Sequence, residues 1–151
     1  AALGQAILCR DFAWARAERQ LLKAIELNPA YSVPRIYYAL QLGMEGRFTE
    51  SLREAYIARD LDPLAIISRF TVVWCLYHSR RFDEAYRIAR DTVEAEPQNL
   101  MMLYGLSFVL SRLGRHDEAI AAAMRACPST SSGCVGSSAH HRFRCDSSVI
   151  R

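Results

Sequence analysis

Three segments decide the fold: Ile25-Glu26-Leu27-Asn28-Pro29, Arg59-Asp60-Leu61-Asp62-Pro63 and Val93-Glu94-Ala95-Glu96-Pro97. Each is a helical pattern with acidic residues that ends at a proline, and the prolines are spaced by 34 residues. A constant period of this length is typical of repeat proteins, in which every repeat is one supersecondary unit. The residue before a proline is disfavoured in helical geometry, so each proline is expected to stop one helix and to lie at the start of the next.

Other positions keep the same 34-residue register. Glycine suits a left-handed helix end, small residues let two helices approach closely, and bulky residues fill the wider end of a hairpin. The recurring columns are Gly46, Arg80 and Gly114; Arg47, Arg81 and Arg115; Trp14, Phe48, Phe82 and His116; Glu50, Glu84 and Glu118; Ala17, Ser51, Ala85 and Ala119; and Ala24, Ala58, Thr92 and Ala126. The sequence predicts helical hairpins, with first helices near 32–45, 65–79 and 98–113 and second helices near 48–61, 82–95 and 116–127.

These columns resemble the tetratricopeptide repeat, a helix-turn-helix unit of this length with two small close-packing positions, an aromatic residue early in its second helix and a closing proline. The resemblance covers residues 1–127: the end of one repeat (1–29), two full repeats (30–63 and 64–97) and an incomplete one (98–127). It implies an all-α fold, a right-handed superhelical stack of antiparallel helix hairpins, or α-solenoid. The family often has Trp where this chain has Arg35, Arg69 or Leu103, and glycine where it has Ala39, Val73 or Ser107.

Some stretches also resemble the repeats of bacterial signalling proteins, in which the array follows a winged-helix, adenylate cyclase or kinase domain. They are 11–29, Gly46-Arg47-Phe48 and Leu61-Asp62-Pro63-Leu64. None of those partner domains is in this sequence, and its first residues have neither an initiator Met nor the pattern of a signal peptide. Cys9 and Cys75 lie in apolar helical patterns, as free buried thiols do. We therefore expect a cytoplasmic fragment of a larger regulatory protein.

Composition and motifs exclude several functions. The chain is 51% hydrophobic and 23% charged, which fits a globular protein, and it has no apolar stretch long enough to span a membrane. Its net charge of +3 is small and forms no concentrated basic stripe, so no nucleic-acid partner is expected. It also has no phosphate-binding glycine loop, nucleophile elbow or His-Glu-x-x-His motif. We expect no enzyme activity, no cofactor and no metal in the repeats.

The first helices of such stacks line a concave side, which is the usual binding surface. Apolar residues at i and i+4 share that side: Ile36 and Leu40, Phe70 and Trp74, Tyr104 and Phe108. Met44, His78 and Arg112 continue it as a rim. The opposite side is predicted to pack on the second helices, through Tyr38, Ala39, Leu42, Val72, Val73, Leu76, Leu106 and Leu110.

Two interpretations of the concave-side residues remain open. They either pack against neighbouring repeats or form a groove for an apolar peptide or helix of a protein partner. For the chain as a whole, the alternative is self-association, in which the uncapped apolar ends, Ala1–Leu8 and Ala119–Ala126, stack between chains. Arg47, Arg81 and Arg115, beside the turns, are interpreted as salt-bridge partners of acidic side chains or caps of helix carbonyls, with an anionic ligand track as the alternative.

The composition changes after Cys127. Residues 128–151 are rich in serine and show no helical period, so we expect either a disordered tail or a shifted reading frame in the middle of a repeat. Cysteines and histidines in this part suggest a zinc site, but their spacing lacks the paired short intervals of zinc ligands. They are Cys127, Cys134, His140, His141 and Cys145.

Overall fold

The computed structural model describes residues 14–127, and these form seven α-helices. In chain order they are α1 (Trp14–Leu27), α2 (Ser32–Met44), α3 (Phe48–Leu61), α4 (Ile66–His78), α5 (Phe82–Ala95), α6 (Leu100–Arg112) and α7 (His116–Ala126). The predicted helices are confirmed, with every end within two residues of its expected place. The predictions for Ala1–Leu8, Cys9 and the tail from residue 128, where the sequence disfavours a zinc site, lie outside the described residues.

The hairpins stack in two layers. The helices α2, α4 and α6 pack on one another in sequence, while α3 packs on α2 and α4, and α5 packs on α4 and α6. The residues predicted to face the second helices are all buried, from Ala39, Leu42, Val72 and Leu76 at 0% exposure to Leu106 at 8%. The core therefore lies between the layers. Each first helix packs both on another first helix and on second helices. No helix among residues 14–127 is long and apolar enough to cross a membrane.

Small residues bring the layers together. Ala17 and Ala85 are fully buried and Ser51 is almost so. The Oγ atom of Ser51 lies 2.7 Å from the carbonyl oxygen of Ala39 and 3.2 Å from Sγ of Cys75. Burial raises the pKa of the Cys75 thiol to about 11, so this thiol stays protonated and unreactive at neutral pH. Cys75 is the buried free thiol that the sequence predicts.

The turn between the two helices of each hairpin uses a left-handed residue. The φ angles are 80° at Gly46, 60° at Arg80 and 76° at Gly114. The next residue donates its amide hydrogen to a carbonyl five positions earlier, as Arg47 does to Leu42 at 2.9 Å, which satisfies an otherwise unpaired helix end. The predicted turn column is confirmed, with a non-glycine residue at one of its three positions.

The prolines lie in a different place from the one predicted. Pro29, Pro63 and Pro97 occupy turns and precede the next helix by three residues, instead of starting it. Each turn is closed by a hydrogen bond between residues three positions apart, such as the one from the Asn99 amide to the Glu96 carbonyl at 3.0 Å. Proline's fixed φ suits the second position of a β-turn, which explains why it lies there. Asn99 then caps α6, since its side chain accepts a hydrogen bond from the Met102 amide.

Replacing Arg80 with glycine is expected to stabilise the protein by about 1 kcal/mol, because glycine adopts a left-handed conformation without steric cost. The matched control is Gly46→Ala, which should destabilise by about 1 kcal/mol through backbone strain alone, since no atom lies within 4 Å of the added Cβ. Urea denaturation followed by circular dichroism measures both changes. An Arg80→Gly variant less stable than the original would show that the arginine side chain makes a stabilising contact.

Candidate functional site

An open depression of about 370 Å³ lies across α2, α4 and α6. We call it the apolar groove, and its lining residues are Leu40, Met44, Ile67, Phe70, Thr71, Trp74 and Tyr104. Several of these side chains are well exposed, with Met44 at 58%, Tyr104 at 50% and Ile67 at 40%. The groove therefore presents large apolar side chains at the surface.

Helix α4 provides the floor of the apolar groove. Phe70 and Trp74 are one turn apart, and their rings are stacked with centroids separated by 6.1 Å. The hydroxyl of Thr71 donates to the carbonyl of Ile67 at 2.8 Å, so it is satisfied within the helix. The groove thus offers packing surface and few directional polar contacts, which suits an apolar ligand.

Gly105 sets the distance between α6 and the groove floor. A Cβ atom at this position would lie 3.1 Å from Cε2 of Phe70 and 3.8 Å from Cγ1 of Val73. Because glycine has no Cβ, α6 packs closely on α4 at this point and places Tyr104 beside Phe70. Close approach of this kind is a common reason for glycine inside a helix.

The structure brings together four of the residues predicted for the groove: Leu40, Phe70, Trp74 and Tyr104. It corrects the expectation for Ile36, which is only 3% exposed and lies in the core. The reason is that α2 packs on α1, α3 and α4, so more than one side of this helix is covered. Ile67 was missed, although its spacing of seven residues from Trp74 places it on the same side of α4.

Phe108 takes part in a different depression, of about 310 Å³, formed by α6 and α7. Its ring still contacts the aromatic cluster, with centroids 4.6 Å from Tyr104 and 6.3 Å from Tyr77. The other lining residues are Ser107, Ser111, His116, Ala119, Ile120 and Ala123. His116 is exposed here and Phe48 is 39% exposed, so the packing column that the sequence predicted is covered only in part.

His78 and Arg112 line a third depression, of about 460 Å³, with Tyr77, Arg80 and Phe82. We call it the basic pocket. Nε of Arg112 donates to the Tyr77 hydroxyl at 3.0 Å. Burial lowers the pKa of His78, so its imidazole is neutral at pH 7. Two of the three predicted rim residues therefore lie in a pocket of their own, while Met44 lines the apolar groove, and Tyr77, Arg80 and Phe82 were not expected in the pocket.

The recurring arginines beside the turns hold the glutamates three residues later. Nε and an Nη atom of each arginine donate to both carboxylate oxygens of its glutamate at distances of 2.5–2.8 Å, in the pairs Arg47–Glu50, Arg81–Glu84 and Arg115–Glu118. These hydrogen bonds lower the pKa of all three carboxyl groups. Arg47 also reaches Glu18 of α1 at 2.8 Å. The salt-bridge interpretation is confirmed.

Two further arginines explain a departure from the family pattern. Arg35 and Arg69 stand where tetratricopeptide repeats often have tryptophan, and each makes an ion pair within its own repeat. Arg35 Nη1 lies 2.6 Å from Oε2 of Glu54, and Arg69 Nη2 lies 3.0 Å from Oε1 of Glu96. Among residues 14–127, no three histidine, cysteine or acidic side chains are placed to hold a metal ion.

No protein-family model matches the chain, and no curated protein is similar to it at a significant level. Solved structures of MamA share its architecture. The chain has an all-α repeat fold. MamA from Desulfovibrio magneticus RS-1, from residue 41 to its end, is 18% identical with a TM-score of 0.67, and the match covers 84% of this chain and 73% of that one.

Two other MamA structures give the same result. One is 14% identical with a TM-score of 0.66, covering 83% of this chain and 72% of its own. MamA MSR-1 is 19% identical with a TM-score of 0.62, covering 82% and 71%. At these identities the likeness concerns the fold, and it confirms the predicted stack of helix hairpins.

Proposed function

We propose that residues 14–127 are a non-catalytic interaction scaffold that binds an apolar peptide or helix of a protein partner in the apolar groove. The observation that carries the proposal is the exposure of Met44, Ile67 and Tyr104 around the stacked rings of Phe70 and Trp74. A residue that served only to pack neighbouring repeats would be covered, as Val73 and Leu76 are. Large aromatic side chains in a concave surface are the usual energetic centres of protein interfaces.

The array is further proposed to belong to a larger bacterial signalling or regulatory protein in the cytoplasm. The support is the resemblance of residues 11–29 and of the turns at Gly46-Arg47-Phe48 and Leu61-Asp62-Pro63-Leu64 to repeats of such proteins. In this role, partner binding in the groove would regulate or localise a domain outside this sequence.

Trp74→Ala is expected to weaken the binding of groove ligands by about 30-fold or more, since removing a central aromatic side chain from an interface costs about 2 kcal/mol. Ligands are obtained by selecting a random 12-residue peptide library on the wild-type protein, and their affinities are measured by fluorescence anisotropy. The matched control is Phe48→Ala, because the Phe48 ring is 39% exposed on α3, outside the groove. Selection of peptides without apolar residues, or equal affinities for the two variants, would contradict the proposal.

Self-association is the second candidate, and it rests on the exposed face of α7. Ala55, Ala89 and Ala123 occupy equivalent positions in successive repeats. Ala55 and Ala89 are fully buried, whereas Ala123 is exposed. Ile120 and Met124 on this helix are also 58% and 64% exposed. Such a face is suited to stacking on a helix of another chain.

Light scattering over a concentration series tests self-association. A mass that rises with concentration in the original protein, and stays at that of a monomer in Ile120→Asp, is the expected result if chains stack through α7. Ile57→Asp on α3 serves as the control for a charge introduced on another second helix. A constant monomer mass in all three proteins would rule this second candidate out.

A further inference from the structure

We propose that the segment bound in the apolar groove carries an acidic side chain beside its apolar residues, and that the basic pocket binds this carboxylate. The inference rests on the proposed function and adds the chemistry of the ligand. The two sites adjoin on α4, where Trp74 lines the groove and His78 lines the pocket one helical turn later. Their rings are in contact, with centroids 4.7 Å apart.

The charges of Arg80 and Arg112 in the basic pocket are not balanced by acidic side chains of residues 14–127. His78, Arg80 and Arg112 line it together with Tyr77 and Phe82, and none of the five is acidic. The guanidinium groups of Arg47, Arg81 and Arg115 form ion pairs with glutamates. In contrast, neither Arg80 nor Arg112 forms an ion pair with a carboxylate of residues 14–127, so within this part of the chain their positive charges have no acidic partner.

The donors in the pocket are suited to a carboxylate. Arg112 uses Nε for the Tyr77 hydroxyl, and its two terminal nitrogens make no hydrogen bond within residues 14–127. A guanidinium presents paired N–H groups that match the two oxygens of a carboxylate. The hydrogen bond to Tyr77 fixes the Arg112 side chain in advance, which reduces the entropy lost on binding.

The internal repeat shows that this basic cluster is not required by the fold. The column of Arg80 has glycine at 46 and 114, and the column of His78 and Arg112 begins with Met44. Arg80 also adopts a left-handed backbone conformation, with φ of 60°, that glycine would adopt without strain. A strained residue that a neighbouring repeat avoids points to a role in binding.

Another role for these residues would be to offset the partial negative charge at the C-terminal ends of α4 and α6, which lie at the pocket. In that case the arginines would contribute to stability and would not select ligands. Removing the two charges would leave the selected ligands unchanged if the arginines only offset the helix ends, and would change them if the arginines bind a carboxylate. A binding experiment therefore distinguishes the two roles.

The experiment selects a random 12-residue peptide library separately on the wild-type protein and on the Arg80→Gly, Arg112→Gln double variant. The wild type is expected to enrich Asp or Glu within about two helical turns of the apolar residues. The double variant is expected to enrich the same apolar residues without the acidic ones. The control for loss of two charges elsewhere is Arg19→Gln with Arg87→Gln, both exposed outside the pocket.

A double-mutant cycle then measures the contact itself. Changing Glu to Gln in a selected synthetic peptide should weaken its binding to the wild type by about tenfold and leave its binding to the double variant unchanged. A loss below about twofold, or the same loss with both proteins, would overturn the inference while the groove stands. A wild-type selection without apolar residues would instead overturn the proposed function, and the inference with it.

Discussion

Replacing Leu76 with alanine is expected to lower the free energy of unfolding by about 3–4 kcal/mol. Leu76 is fully buried in α4 and belongs to the core cluster that joins the hairpins. Because α4 packs on α2, α3, α5 and α6, the cavity left by the missing side chain cannot collapse without moving several helices. Such a loss is a large part of the total stability of a domain, which is about 5–15 kcal/mol.

Urea denaturation followed by circular dichroism measures this change. The control is Leu64→Ala, which makes the same substitution at a turn residue that is 85% exposed, and it should cost about 0.5 kcal/mol or less. In a stack of repeats each unit is stabilised by its neighbours, so loss of the central contact should also broaden the transition. Equal losses for the two variants would mean that α4 is not a central element of the core.

Replacing Glu54 with glutamine is expected to destabilise the protein by about 2 kcal/mol, because it leaves the charge of Arg35 without its partner. Oε2 of Glu54 lies 2.6 Å from Arg35 Nη1, and the two side chains are only 7% and 16% exposed. Nε of Arg35 has no hydrogen-bond partner, so the carboxylate is the main compensation for a largely buried cation. Arg53, at 3.2 Å from Glu54, is exposed and can turn to solvent.

The control for Glu54→Gln is Glu84→Gln, which breaks the equally short but exposed pair with Arg81 and should leave stability nearly unchanged. A second comparison replaces both members of the buried pair, as Arg35→Met with Glu54→Leu, and should recover most of the loss. Similar losses for the buried and exposed pairs would show that burial of Arg35 does not determine the energy. Both measurements use the midpoint and slope of urea denaturation.

The 34-residue register predicted the helices closely because the signals that end them are local. Glycine marks a left-handed turn and proline marks a backbone that cannot continue as a helix. The sequence placed the prolines at helix starts, and it missed the β-turn that holds Pro97 three residues earlier. The turn needs a hydrogen bond between residues outside either helix, which a helical pattern does not show.

The candidate site was predicted less completely, since it depends on how helices pack. Periodicity identified one side of α4 correctly, but it gave no sign that α2 is covered at Ile36 or that Phe108 lines a separate depression. The pair Arg35–Glu54 joins positions 19 residues apart, and no local pattern indicated it. The sequence placed His78 and Arg112 together as a rim, but only the fold adds Tyr77, Arg80 and Phe82 and shows that the two arginines have no acidic partner among residues 14–127.

The short reach of the contacts between helices bears on how such a chain can change its length. Within residues 14–127, the ion pairs and hydrogen bonds that join one helix to another connect positions between 12 and 35 residues apart, from Ser51–Ala39 to Arg112–Tyr77. Duplication or loss of a 34-residue genetic segment would therefore preserve the type of every interface, whereas an insertion of another length would disturb several at once. Arg80 and Gly105 differ from the residues at the equivalent positions of the other repeats. Duplication can therefore lengthen the array, while substitution changes single positions within it.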